Sequence, residues 1–243
     1  MSTPPLFLVD ELPSGDVLSL TGDEGRHAAR VKRLSVGEPV LVSDGRGSLV
    51  ECTVAAIRSD GLSLAVTARR SVPLPQPKIV VVQALPKGDR AELAVELLTE
   101  LGADEIVPWA ASRSIVQWLG PRGDRALEKW RRTAREATKQ SRRACLPEVS
   151  PMASTAEVAA RLAGATALVL HEGATTALAS VELPDDREVV VVVGPEGGIA
   201  PDELDDFTAV GALPVRLGEP VLRTSTAGAA ALAVLSARLG RWA

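Results

Sequence analysis

The chain contains no tyrosine, two phenylalanines and four tryptophans among its 243 residues. So little aromatic surface leaves valine, leucine and alanine to build the interior, and it limits any RNA recognition that depends on stacking bases against exposed rings. Cysteine is as scarce. Cys52 and Cys145 form no CxxC pair, which argues against a disulfide framework and a structural zinc site and fits a reducing cytoplasm. The opening MSTPPLFLVDELPSG lacks a basic stretch leading into a long apolar one, so no signal peptide is expected. No apolar run is long enough to span a bilayer. The expectation is a cytosolic protein with no membrane partner and no metal.

What is present is ordinary for a soluble globular chain: 46% hydrophobic and 24% charged residues, and enough length for two modest domains or one large one. The net charge of −4 argues against a nucleic-acid partner until its distribution is read. Between Ser112 and Arg143 there are ten basic residues, among them Arg113, Arg132 and Arg143, against three acids, Asp124, Glu128 and Glu136. A phosphate backbone responds to a local patch more than to the total. The alternative is a solvated helix face laced with pairs such as Glu128 and Arg132.

Ser71–Pro77 holds three prolines in seven residues, a stiff, extended connector by composition. The domain boundary is placed there, with residues 1–72 on one side and 73–243 on the other. Before it, Val40–Val42, Gly47–Val54 and Leu62–Thr67 read as strands separated by Asp44-Gly45 and Asp60-Gly61 turns. Asp23–Leu34 reads as a helix carrying Arg26, Arg30 and Arg33 at near-helical spacing. A small β-barrel with one basic helix is a plausible RNA-docking module. After the connector, strands (Lys78–Ala84, Glu105–Trp109, Thr166–Leu170, Glu188–Val193, Leu213–Leu217) alternate with helices (Asp89–Leu101, Asp124–Arg142, Thr155–Leu162, Pro201–Phe207, Thr226–Leu239). Such alternation predicts an α/β domain with a mostly parallel sheet.

Three segments at strand ends carry the chemistry. Gly194-Pro-Glu-Gly-Gly-Ile199 follows an all-valine strand, where glycines admit close backbone approach to a ligand. It matches neither standard phosphate-loop pattern. The second, Leu217–Ala231, contains Arg223, a charge that needs a partner or a substrate, and three hydroxyls of which at least one is expected to be a helix cap. The third is Leu170–Ala174. His171 there titrates near neutrality, but a backbone contact is the preferred reading. His27 is expected to face solvent. Metal-ligand spacing, a nucleophile elbow and an obvious carboxylate pair are all missing, which favours group transfer from an activated donor held by positioning.

VVVGPEGGIAPDEL and LGEPVLRTSTA, together with QALPKGDRAELAVELLTELGADEIVPW, KWRRTAREATKQSRR and HAARVKRLSVGEPVLVSDGRG, resemble the RsmE family of 16S ribosomal RNA uridine-N3 methyltransferases in the SPOUT superfamily. The resemblance covers nearly the whole chain. It implies a PUA-like barrel, a C-terminal deep trefoil knot, a homodimer, S-adenosyl-L-methionine as donor and the 16S RNA of the 30S subunit, near the decoding region, as substrate. Carried over by motif, the donor is expected against Leu170, His171, Glu172 and Gly173, against Val193, Gly194, Glu196, Gly197 and Gly198, and against Leu217, Gly218, Val221, Leu222, Thr224 and Thr226.

Arg223 is the expected catalytic cation. RNA is expected to meet Arg26, Arg30, Arg33, Arg113, Arg132, Glu136, Gln140 and Arg143, with Glu136 either positioning substrate or pairing with Arg132. Two positions depart from the family pattern as resembled: Pro220 stands where an arginine is frequent, and Ser225 where a glutamate is. Two other readings remain: a related enzyme acting elsewhere, such as on a transfer RNA ribose 2′-hydroxyl, and a non-catalytic RNA-binding assembly factor.

Overall fold

Alternating apolar residues organise the first of two sheets. Its strands are β1 (Leu6–Leu8), β2 (Val17–Leu20), β3 (Pro39–Ser43), β4 (Ser48–Arg58) and β5 (Gly61–Ser71), in the spatial order β1-β3-β4-β5-β2. β1 lies parallel to β3, while β3-β4, β4-β5 and β5-β2 are antiparallel. In β2 every second side chain is buried, and Leu18 and Leu20 join Phe7, Val40, Val42, Val54 and Leu64 in one apolar cluster. The helix α1 (Gly22–Arg26) continues directly into a π-helical turn, His27–Val31, so the predicted basic helix forms with a widened second half. β4 and β5 are each eleven residues long and pair along most of their length, which carries them past the shorter stretches expected.

The computed structural model describes residues 3–183 and 187–242. These divide into two compact units: Met1–Leu74 with Thr138–Leu146, and Pro75–Ala137 with Pro147–Ala243. Thr138–Leu146 enters the first unit through specific bonds. The Ser43 hydroxyl donates to the Ala144 carbonyl at 2.9 Å, Leu146 N–H to the Gly45 carbonyl at 2.8 Å, and Lys139 pairs with Glu24 at 2.9 Å.

The second unit is a three-layer α/β arrangement. In chain order its elements are β6 (Ile79–Ala84), α2 (Arg90–Glu100), β7 (Glu105–Trp109), α3 (Gly120–Ser141), β8 (Glu148–Val149), α4 (Thr155–Leu162), β9 (Thr166–Leu170), β10 (Val189–Val193), α5 (Pro201–Ala209), β11 (Leu213–Val215) and α6 (Thr224–Arg238). The last turn of α3 belongs to the first unit. The sheet runs β11-β9-β10-β6-β7-β8, and each of its strand pairs is parallel. β10 is buried throughout, as five consecutive valines covered on both faces require. One face (Val80, Val82, Val190, Val192) packs against Val158 and Leu162 of α4 and Phe207 of α5. The other is covered by α2 and α6, where Gly228 sits so close to Leu98, Val193 and Gln83 that a Cβ would be 3.0 Å from the leucine methyl. The run of small residues in α6 is thus used for packing within this chain.

The strand order positions the site. The chain builds β6, β7 and β8 outward in one direction, then returns to place β9 two positions to the other side, with β10 entering between β9 and β6. Ligands of open parallel sheets bind beyond the carboxyl ends of the strands where the direction of winding reverses.

Candidate active site

Because the strands are parallel, the loops after β6, β7, β9, β10 and β11 emerge at one edge of the sheet. Segments from four of them, with Arg90 of α2, line a cleft of about 680 Å³. That volume suits a cofactor-sized ligand. Leu170, His171 and Glu172, then Val193, Gly194, Glu196, Gly197 and Gly198, then Leu217, Gly218, Val221, Leu222, Arg223 and Thr224 all contribute, as does Arg113. Gly173 and Thr226 do not line it. The Gly173 N–H donates to His171 Nδ1 at 3.1 Å, and the Thr226 hydroxyl turns back to the Arg223 carbonyl at 3.2 Å.

The glycines of the β10 loop are there for space and for backbone shape. A Cβ on Gly194 would lie 2.7 Å from Ile199 Cγ1, one on Gly197 would press the Arg113 backbone at 3.2 Å, and Gly198 has φ +73°. The loop therefore offers bare backbone to the cleft. Glu196 braces it by accepting the Lys87 N–H at 3.1 Å, and the Arg113 guanidinium donates to the Gly197 carbonyl at 3.4 Å.

Arg223 is the N-terminal cap residue of α6, with its side chain exposed to the cleft. Its carbonyl accepts the N–H groups of Thr226 and Ala227, both at 2.9 Å. α6 starts at Thr224, two residues earlier than the sequence pattern predicts. Consequently none of Thr224, Ser225 and Thr226 is the cap that was expected there, because Arg223 holds that position without a side-chain cap bond. Thr224 and Ser225 are buried, and the Thr224 carbonyl accepts from the Gln83 side chain at 3.3 Å. Pro220 lies on the cleft wall.

The residues assigned to RNA fall on two elements and one loop. Arg26, Arg30 and Arg33 are exposed on and just after α1 and its π-helical extension, and Arg26 forms an ion pair with Asp23. Arg132, Glu136 and Gln140 are spaced by four along α3 and share one exposed stripe. Arg143 is half-buried just beyond that helix. Glu128 bonds Arg131 at 2.6 Å, the partner three residues along and not the one four along. Arg113 lines the cleft itself.

Sequence reasoning missed Arg90 and Arg216, which add to Arg113 and Arg223 as cations on the cleft wall, opposite in sign to Glu172, Glu196 and Glu219. It also missed Glu203, whose carboxylate is buried in the first turn of α5. Arg90 follows the strand-loop motif LPKGD, and that position at a strand tip was the available signal. Among the described residues, no group of three His, Cys, Asp or Glu could hold a metal ion, and no helix is long and apolar enough to cross a membrane.

Comparison with known proteins gives consistent results. A family model described as an RNA methyltransferase domain matches residues 72–236, and one described as an RNA methyltransferase PUA domain matches residues 20–67. The Ribosomal RNA small subunit methyltransferase E of Mycobacterium tuberculosis is 47% identical over 98% of this chain and 93% of its own length. The crystal structure of a Ribosomal RNA small subunit methyltransferase E from Neisseria gonorrhoeae bound to S-adenosyl methionine superimposes with a TM-score of 0.86 at 26% identity, covering 97% of this chain and 98% of that one. A Legionella pneumophila methyltransferase in complex with the bound cofactor SAM gives the same TM-score and identity, with 98% of each chain covered.

Proposed function

The chain belongs to the family of ribosomal RNA small subunit methyltransferases E, and on that premise we propose that it methylates N3 of one uridine in 16S ribosomal RNA, in the decoding region of the 30S subunit. It is an S-adenosylmethionine-dependent ribosomal RNA methyltransferase with a PUA-like domain and a parallel α/β domain. The observation that carries the reading is the convergence of the β9, β10 and β11 loops on one cleft at the winding reversal.

The cleft fits the donor. Bare backbone at Gly194, Gly197 and Gly198 admits a flat purine or ribose closely, and the carboxylates of Glu172, Glu196 and Glu219 complement a ligand bearing sulfonium and ammonium charge. S-adenosylmethionine, when bound, supplies an electrophilic methyl group on sulfur.

The remaining work falls to the protein. Attack by uracil N3 requires loss of its imide proton, and the resulting negative charge spreads to O2 and O4. Arg223 presents a guanidinium at the cleft, where it would stabilise that charge as it develops and make release of the proton to water less costly. The positive end of α6, which starts at the next residue, adds to the same field. Arg113 orients the RNA strand at the cleft, and Arg132, Gln140 and Arg143 supply phosphate contacts elsewhere on the molecule. His171 serves the fold, its Nδ1 occupied by the Gly173 amide. With Pro220 and Ser225 in place of charged residues, the cationic duty rests on Arg223, supported by Arg216 and Arg90.

The finer architecture belongs to the same reading. The insertion of β10 between β9 and β6, followed by the long Leu217–Arg223 loop, supports a SPOUT-type deep trefoil knot. The exposed Val221 and Leu222 support a homodimer, and a cytoplasmic location follows from the substrate.

The test is mass-spectrometric mapping of small-subunit RNA, offered free and as assembled particles, after incubation with the protein and labelled donor. The expected product is 3-methyluridine near the decoding region. Label on a ribose 2′-oxygen, or on transfer RNA, would replace this reading with the related-enzyme one. Absence of label together with absence of donor binding in calorimetry would favour a non-catalytic assembly factor.

A further inference from the structure

Glu203 is 3% exposed, yet among the described residues no cation pairs with it. Burying a carboxylate without a countercharge is costly unless donors satisfy it. Three do. Oε2 accepts the Ala200 N–H at 3.1 Å, and Oε1 accepts the Ser112 N–H at 2.8 Å and the Thr155 hydroxyl at 3.0 Å. The first is an ordinary helix-start contact within α5. The second is not, because Ser112 lies on the loop after β7, 91 residues away in the chain.

The two amides clasped by this carboxylate belong to the two loops that meet in the cleft. Ala200 ends the glycine loop of β10, and Ser112 immediately precedes Arg113. The loops also touch directly. The Arg113 guanidinium bonds the Gly197 carbonyl at 3.4 Å, and the Arg113 carbonyl would sit 3.2 Å from a Cβ on Gly197. Thr155 occupies a further acceptor site of Oε1 and itself accepts the Trp109 indole N–H at 3.2 Å, so it bonds to neither of the two loops.

We infer that Glu203 is a positioning residue whose single carboxylate sets the donor-binding glycine loop and the RNA-orienting Arg113 in register with each other. This rests on the methyltransferase reading of the cleft. It goes beyond that reading by coupling the two binding events: when the clasp loosens, donor affinity and RNA recognition weaken together, although Glu203 contacts neither ligand.

The experiment compares the full-length parent with Glu203→Gln, Thr155→Val, Arg113→Ala and the Glu203→Gln/Arg113→Ala double variant. Readouts are backbone amide exchange at Ser112 and Ala200, donor Kd by calorimetry, KM for RNA, and Tm. A glutamine cannot accept at both terminal atoms, so exchange at one or both amides should accelerate about tenfold, with donor Kd and RNA KM rising by a similar factor. In the Arg113→Ala background the same change should raise RNA KM less than twofold, since the effect passes through Arg113. Thr155→Val should lower Tm but leave donor Kd and RNA KM within twofold of the parent.

Unchanged amide exchange in Glu203→Gln overturns the clasp. So do KM penalties that multiply in the double variant, or binding losses in Thr155→Val that match those in Glu203→Gln. Glu203→Asp, which keeps the charge but shortens the reach, carries the same expectations if the glutamine variant does not fold. A parent that binds no donor contradicts the methyltransferase reading instead, while the exchange measurement still decides the clasp.

Discussion

The two edges of the parallel sheet use charge in opposite ways. At the amino edge, charges are consumed by one another. Glu105 accepts from Lys78 at 2.6 Å, from Arg161 through two bonds of 2.8 Å and from the Ser150 hydroxyl at 2.7 Å, and Arg161 also reaches Glu188 at 3.1 Å. Beside it Asp104 accepts from Arg241 at 2.7 Å and from the Ile79 N–H at 2.8 Å. At the carboxyl edge, Arg90, Arg113, Arg216 and Arg223 line an open cleft among glycine turns. At one edge the charges pair with each other and close the fold; the other keeps its cations facing a space that a ligand would fill. Parallel sheets permit this division because all strand starts lie together and all strand ends lie together.

The strongest way to break the paired edge is Glu105→Ala, which strands Lys78 and leaves Arg161 with Glu188 alone. Removing one partner of a buried ionic cluster should cost about 3–5 kcal/mol of unfolding free energy, measurable by urea denaturation. The donor Kd of the folded variant should stay at the parent value. Arg223→Ala is the mirror experiment at the open edge. Methyl transfer should fall about 100- to 1,000-fold in kcat, as when one charge-stabilising donor is lost, with the urea midpoint unmoved.

A pH titration sharpens the contrast. Burial opposes ionisation of Glu105, but hydrogen bonds from Lys78, Ser150 and Arg161 outweigh it and hold its pKa below the ordinary glutamate value. In acid the unfolded chain then carries more protons than the native one. The resulting stabilisation is complete above the unfolded value and is lost as pH falls through the lower native one. Tm should therefore decline more steeply below about pH 4.3 in the parent than in Glu105→Gln. The smallest effect belongs to an exposed pair outside both edges: Glu128→Ala, which removes the bond to Arg131, should change stability by less than about 1 kcal/mol.

The elements readable from the chain alone are those whose burial writes a pattern. β6, β7, β9 and β10 are apolar runs because helices cover both of their faces, and α4 announces itself with Ser154 and Glu157, which form the capping box seen in the structure. β1 and β8, of three and two residues, are too short to show any period. The spatial order of the sheet is a tertiary property that no window of sequence contains. The glycine loop and Arg223 were legible from motif and position. Arg90, an unremarkable helix-start arginine, became a cleft residue only when β6 was placed beside β10. Glu203 was hidden for a related reason: its acidic helix-start position has a sufficient local explanation, while its bond to Ser112 depends on where the β7 loop comes to rest.

The most direct test of the open edge is calorimetric titration of S-adenosylmethionine into the parent chain and into Gly198→Val, whose side chain is strained at φ +73° with no need to disturb the opposite edge. One donor should bind per chain in the parent, with affinity lowered at least about tenfold in the variant, as roughly 1.4 kcal/mol of lost binding requires, and with the urea midpoint shifting little. A parent that binds no donor, or a variant that binds it equally well, would contradict the assignment of this edge as the methyl-transfer site.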